Sequence, residues 1–231
     1  MGTYTEIQPW GVTLYTVLNG SHHSFNTGRA RIDLITNPYY GRMLFIDGVL
    51  QSAKSDEKLY HHALVNLHKE PKHVLIAGGA EGALAKELFT LDSVLNVVMV
   101  DWDEELVYHM KKESFAGTAF TDPRLTIVHQ DILEYLNTYN TSSDREPFDT
   151  ILLDLLDPHT DAEVDWLMNI VLLCLKKLPN ISLNVGGDIE IRNKILRRLN
   201  DTVPYDYYIS SKSVFVPSFQ QEWYLIAIIH I

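Results

Sequence analysis

Cysteine is almost absent from the 231-residue chain, where Cys174 stands alone in a row of apolar residues. An internal disulfide is excluded, and the thiol is expected to behave as a small buried hydrophobe in a reducing compartment. Positive charge is also scarce. Nineteen Lys and Arg against thirty Asp and Glu leave a formal charge of -11, which repels phosphate backbones and anionic headgroups and attracts cationic ligands. Neither a nucleic acid nor a membrane is an expected partner. The first twenty residues hold Glu6, Pro9 and Gly11 and no long apolar run, so neither a signal peptide nor a spanning helix is expected, and the cytoplasm is the default location. None of the ten histidines forms H-E-x-x-H, and His22 and His23 flank no carboxylate at ligand spacing, so no metal site is expected. The dinucleotide pattern G-x-G-x-x-G and the phosphate loop G-x-x-x-x-G-K-[ST] are missing too.

What is present is enough apolar sequence, 46% of the chain, to bury one α/β domain with a small appendage. Short β-prone runs over 12–18, 32–35, 43–46 and 49–51 are broken by Asn19-Gly20, Asn37-Pro38 and Asp47-Gly48, which is turn chemistry. A small antiparallel β domain over residues 1–54 is the expected result. Ser55 and an acidic first turn then open a helix over about 56–68 that leads into a second domain over 55–231. From Lys72 onward strand and helix signals alternate, with strands at 74–77, 97–100, 125–128, 150–154 and 181–185. Helices are expected at 83–91, 104–113, 132–139, 163–177 and 190–199. That rhythm predicts a Rossmann-like, class I methyltransferase-type α/β fold with a mostly parallel sheet. The runs 214–216 and 223–230, separated only by a Pro217-Ser218 corner, are expected to close the sheet edge as an antiparallel pair. The polar stretch 140–146 reads as a surface loop, and Trp10 and Trp102 as packing residues.

The strongest local signal is the apolar strand Val74 to Ala77 running into Gly78-Gly79-Ala80-Glu81-Gly82-Ala83. Small side chains let backbone amides approach a ligand, and the helix start offers unpaired N–H groups. A nucleotide or nucleoside is the expected ligand, with Glu81 inside the turn opposing a pyrophosphate, and a ligand-free tight turn is the alternative. Asp101, at the end of the second strand, is placed to bind ribose hydroxyls. Asp103 points the other way and suits a helix cap. Asp131, followed by Ile132, is placed either to accept from an adenine amine or to cap its helix. The fourth strand ends in Asp154-Leu155-Leu156-Asp157-Pro158. A carboxylate there can hold an ammonium and then take its proton as the amine attacks an electrophile.

These spacings resemble a family. Residues 40–51, from Tyr40-Gly41 through Asp47-Gly48-Val49-Leu50-Gln51, together with Asp56-Glu57 and Tyr60-His61, resemble the polyamine aminopropyltransferases, the spermidine and spermine synthases. Residues 78–83 look like that family's GGGDGG turn, 100–103 like its VEID, 122–124 like its DPR, and 216–223 like its VPS ending. The resemblance implies an enzyme that moves the aminopropyl group of decarboxylated S-adenosylmethionine, a co-substrate and not a bound cofactor, onto putrescine or spermidine. It implies Asp154 as the base, with Tyr60, His61, Asp157 and Gln221 at the polyamine. Gln51, Gly78, Gly79, Glu81, Asp101, Asp131 and Ile132 would line the donor site. Glu81 would attract the donor's ammonium and repel the carboxylate of ordinary S-adenosylmethionine. A homodimer is the implied assembly. Ala80 and Ala83 stand where the family has glycine and are expected to crowd the donor turn. Two other readings share the fold: an amine N-methyltransferase using intact S-adenosylmethionine, and a non-catalytic nucleoside-binding paralogue.

Overall fold

The computed structural model describes residues 1–8, 11–139 and 146–231; Trp10 and most of the expected 140–146 loop lie outside them. The first half of the small β region is a hairpin of β1 (Gly2–Gln8) and β2 (Gly11–Val17), paired only with each other. The second is a four-stranded antiparallel sheet of β3 (His23–Asn26), β4 (Arg31–Asn37), β5 (Gly41–Ile46) and β6 (Val49–Ala53). The single small sheet expected from the sequence is thus two pieces, and β1 and β3 are additions to it. Both carry too few contiguous apolar residues to announce themselves. The β5–β6 turn follows its chemistry closely: Asp47 at φ 50° and Gly48 at φ 83° give the two left-handed residues that a two-residue hairpin needs. Tyr15 and Val17 of the hairpin pack with Ile35, Met43 and Phe45 of the sheet. The buried Glu6 carboxylate fastens the join, accepting from the Tyr15 hydroxyl at 2.7 Å and from the Leu50 amide at 2.9 Å.

Helix α1 (Glu57–Val65) leads to the main sheet, which contains β7 (His73–Gly78), β8 (Asn96–Val100), β9 (Leu125–Val128), β10 (Thr150–Asp154), β11 (Asn180–Asn184), β12 (Tyr207–Val216) and β13 (Gln221–His230). Between them lie α2 (Ala83–Leu88), α3 (Glu104–Met110), α4 (Ile132–Thr138), α5 (Asp161–Leu175) and α6 (Ile189–Thr202). The spatial order is β12-β13-β11-β10-β7-β8-β9. β7, β8, β9, β10 and β11 run parallel, and β12 and β13 close the edge antiparallel. The parallel strands are nearly continuous in apolar residues because both faces are covered. Along β7, Val74 and Ile76 enter a core shared with α1, α2 and α3, while Leu75 and Ala77 enter one shared with α4, α5 and α6. Ile32, Leu34 and Leu44 of the small sheet belong to the first of these cores.

Several helices stop short of their expected ends. The last turns of α2 and α3 tighten into i to i+3 bonds, Leu91 N to Leu88 O and Glu113 N to Met110 O, a common way of satisfying terminal groups. α5 begins earlier than expected because Thr160 and Glu163 form a reciprocal capping box. At α1 the N-cap is Asp56, and its side chain does not cap. The buried carboxylate instead accepts from the amide and the hydroxyl of Ser218 at 2.7 and 3.0 Å, tying the start of α1 to the β12–β13 corner. Removing it leaves a buried amide without a partner. Asp56→Ala is therefore expected to lower the unfolding free energy by about 1–3 kcal/mol, read as a drop in the urea midpoint at unchanged slope.

Candidate active site

The sheet order reverses direction between β7 and β10. From β7 the chain winds outward through β8 and β9, then returns to the other side for β10 and β11. A ligand crevice is expected beyond the carboxyl ends at such a switch point. A cavity of about 670 Å³ lies there. Gly78 and Asp154 face each other across the reversal as register partners. A Cβ on Gly78 would lie 2.1 Å from the Asp154 carbonyl oxygen, at φ +86°, so only glycine permits this approach. Gly79 and Gly82 also have positive φ, at 80° and 75°, whereas Ala80 and Ala83 do not. Glycine is thus kept at every left-handed position of the turn, and alanine at 80 and 83 strains no backbone there.

Four strand ends deliver side chains to the cavity wall. From the β7–α2 turn comes Glu81, after β8 Asp101, after β9 Asp131 and Ile132, and from β10 Asp154 with Asp157 beyond it. Tyr60 and His61 arrive from α1, and Gln51 from β6. The Tyr60 hydroxyl donates to Asp154 Oδ1 at 2.5 Å. Burial, and then the Asp154 carboxylate, hold this phenol well above its ordinary pKa, so it stays a donor. His61 Nδ1 donates to the Glu57 carbonyl at 2.8 Å. Its Nε2 lies 3.3 Å from Glu81 Oε1 and 3.7 Å from Asp154 Oδ2. Burial opposes charge on this ring, yet hydrogen bonding and the charges of Asp154 and Glu81 raise its pKa to about 10. Single side-chain atoms of His61, Glu81 and Asp154 lie within 4.8 Å of one another, a meeting that no spacing in the sequence displays.

Asp157 accepts from Asn184 Nδ2 at 2.6 Å. Asn184 Oδ1 in turn accepts from the Gly186 amide at 2.9 Å and from Trp223 Nε1 at 2.8 Å, which fixes the amide so that only its NH2 can face Asp157. Sequence reasoning missed Asn184. Its signal is a polar residue ending β11, the strand beside β10, at the same rim as Asp154. Burial pushes the Asp157 carboxyl up to about 7, with the Asn184 bond opposing and the Asp154 charge adding. Burial likewise raises Asp101 to about 6, against its bond from the Asp103 amide and with help from Glu81. Asp103 caps α3 through Leu106 N and accepts from Thr27. Asp131 caps α4 through Leu133 N and Glu134 N, and it also lines the cavity. Trp102 is 55% exposed and, instead of packing inward, lies on the cavity wall under the Arg29 guanidinium, 4.4 Å from the ring centre. Gln221 lies apart from the rest. It lines a neighbouring cavity of about 400 Å³, which shares Asp157, Phe219 and Trp223 with the first.

The topology, with its antiparallel last pair, and the acidic crevice at the switch point define the class: a Rossmann-like, methyltransferase-type α/β fold built around a nucleoside-sized cavity. Residues 54–230 match the family model for the spermine/spermidine synthase domain, and the chain belongs to that family. It is 33% identical over 208 residues to polyamine aminopropyltransferase 2 of Pseudomonas aeruginosa, covering 82% of this chain and 57% of that protein. It is 29% identical over 206 residues to polyamine aminopropyltransferase 2 of Caldanaerobacter subterraneus, covering 84% and 67%. Spermidine synthase from Thermotoga maritima superposes with a TM-score of 0.83 at 23% identity, over 98% of this chain and 79% of that one. A spermidine synthase solved with the transition-state analogue AdoDATO gives 0.84 at 23% identity, with the same coverage.

Two outcomes follow from this geometry. Gly78→Ala is expected to lose more than about 2 kcal/mol of stability, and Gly79→Ala clearly less, because its Cβ would meet only the Ile76 side chain at 3.2 Å. Equilibrium urea unfolding of both variants reads the contrast. Asp101 and Asp157 have folded pKa values raised to about 6 and about 7. The stability they contribute is present below the ordinary carboxylate range of about 4 and is lost as pH rises through 6 and 7. Unfolding free energy is expected to fall over that window, and Asp157→Asn to flatten the upper part of the fall.

Proposed function

We propose that the chain catalyses aminopropyl transfer from decarboxylated S-adenosylmethionine to a polyamine, putrescine or spermidine, releasing methylthioadenosine. The observation that carries the reading is the convergence of Asp154, held by Tyr60, and Glu81 on one cavity that Asp101 and Asp131 also line. In this reading Asp101 binds the ribose and Asp131 the adenine amine, with Gln51, Gly78, Gly79 and Ile132 around the nucleoside. Glu81 takes the donor ammonium. Tyr60, His61, Asp157 and Gln221 serve the acceptor. The acceptor nitrogen attacks the carbon next to the sulfonium, the carbon–sulfur bond breaks with its electron pair passing to sulfur, and the nitrogen's proton goes to Asp154. Alignment supplies much of the acceleration, because nothing in the step requires a strong acid.

Residues 1–54 would form a β domain that walls the cavity from outside, and residues 55–231 the catalytic domain. The exposed apolar face of Ile7, Val12 and Leu14 on the hairpin supports a homodimer as the working unit. Among the described residues no helix is long and apolar enough to cross a membrane, and the lone Cys174 is buried. The buried free thiol fits the proposed cytoplasmic setting.

The test is mass spectrometry of the protein incubated with putrescine and spermidine, given decarboxylated or ordinary S-adenosylmethionine. An aminopropylated amine formed only with the decarboxylated donor is expected. A methylated amine would assign the chain to N-methyl transfer, and absence of product would remove the catalytic reading. Asp154→Asn is expected to keep nucleoside binding, measured by calorimetry with methylthioadenosine, and to lose turnover by roughly 100–10,000-fold. Glu81→Gln is expected to weaken discrimination against the carboxylated donor.

A further inference from the structure

His61 sits where the two halves of the proposed reaction meet, and its surroundings decide its protonation. Its Nδ1 faces the Glu57 carbonyl at 2.8 Å, an acceptor only, so Nδ1 must carry a proton. Its Nε2 faces Glu81 at 3.3 Å and Asp154 at 3.7 Å, again acceptors when ionised. A neutral ring would turn a lone pair toward two carboxylates. Single atoms of His61, Glu81 and Asp154 all lie within 4.8 Å of one another, so without a positive charge between them the two acids would repel at close range.

We propose that His61 is a permanent imidazolium that joins Glu81 to Asp154 and acts as a positioning residue, holding the donor-side and acceptor-side carboxylates at a fixed separation. The inference rests on the proposed function for the words donor and acceptor, but the charge bridge itself does not. The groups facing the ring come from three elements. α1 gives the Tyr60 ring, edge-on at 5.0 Å, and the Glu57 carbonyl. The β7–α2 turn gives Glu81, and the end of β10 gives Asp154. Behind these lie Asp101, which feels the charge of Glu81, and Asp157, which feels that of Asp154. The carboxylate of Glu57 is turned away, bound by Lys54 and Lys86. The charges of Glu81 and Asp154, which act on the ring, are both negative. Tyr60 holds Asp154 Oδ1 while His61 faces Oδ2. The carboxylate is thereby oriented at both oxygens.

The first test needs no turnover. In protein carrying isotope-labelled histidine, NMR at about pH 7 is expected to show protons on both ring nitrogens of His61, the signal being assigned through its own backbone. In Glu81→Gln and in Asp154→Asn the ring is expected to lose its second proton at lower pH than in the parent. A singly protonated ring in the parent would overturn the proposal. So would zinc alone binding at this site with displacement of the Nε2 proton, since a metal would then be the bridge. The second test is kinetic. His61→Asn is expected to lower kcat on the order of 100-fold, the scale of a small misplacement of reacting groups. It should also move the acid limb of kcat/KM, because a positive charge is removed from beside the carboxylates of the site. A drop in kcat with an unmoved acid limb would reduce His61 to packing and overturn the bridge. Parent protein without transfer activity would sink the proposed function, while the NMR result would still decide the bridge.

Discussion

The site depends on the close approach of two backbones, Gly78 at the end of β7 and the Asp154 carbonyl at the end of β10. Sheet topology forces the crevice open beside this pair, since the helices that follow the two strands depart to opposite faces. The same approach sets Asp154 against the glycine turn and so brings Glu81, which the turn carries, within reach of it. A side chain at residue 78 would push the strand ends apart. Asp154 and Glu81 are placed by that contact, which gives a residue with no chemistry of its own a decisive role.

The second governing feature is the density of negative charge. Glu81, Asp101, Asp131, Asp154 and Asp157 line one cavity, and burial disfavours the ionised forms of Asp101 and Asp157. The protein offsets this with donors: a phenol on Asp154, an imidazole facing Glu81 and Asp154, an amide on Asp157, and backbone N–H groups on Asp101 and Asp131. The arrangement is stable as a protein but unbalanced in charge, and it suits a ligand that brings positive charge to it. A sulfonium nucleoside with an ammonium tail and a polyamine both do so. A phosphate does not.

Much of this was legible in the linear chain. Strand and helix alternation gave the parallel sheet, and acidic residues just past apolar runs pointed to its rim. Asp47-Gly48 announced its turn because two left-handed residues admit few side chains. What stayed hidden was relational. Asn184 looks like any polar strand end until Trp223 and Gly186 fix its amide. Asp56 looks like a helix cap until the β12–β13 corner presents Ser218 to it. The hairpin and the four-stranded sheet were merged in the reading because alternation tells which residues pair within a strand, not which strands pair with each other.

The sequence by itself determined the succession of elements, the chemistry available at each strand end and the family, because propensity, turn residues and short motifs act over a few neighbouring positions. Only the tertiary structure decided that His61, Glu81 and Asp154, drawn from a helix, a turn and a distant strand, would meet around one ring nitrogen. Protonation and charge pairing depend on distances through space across a low-dielectric interior, and the folded sheet alone sets those distances.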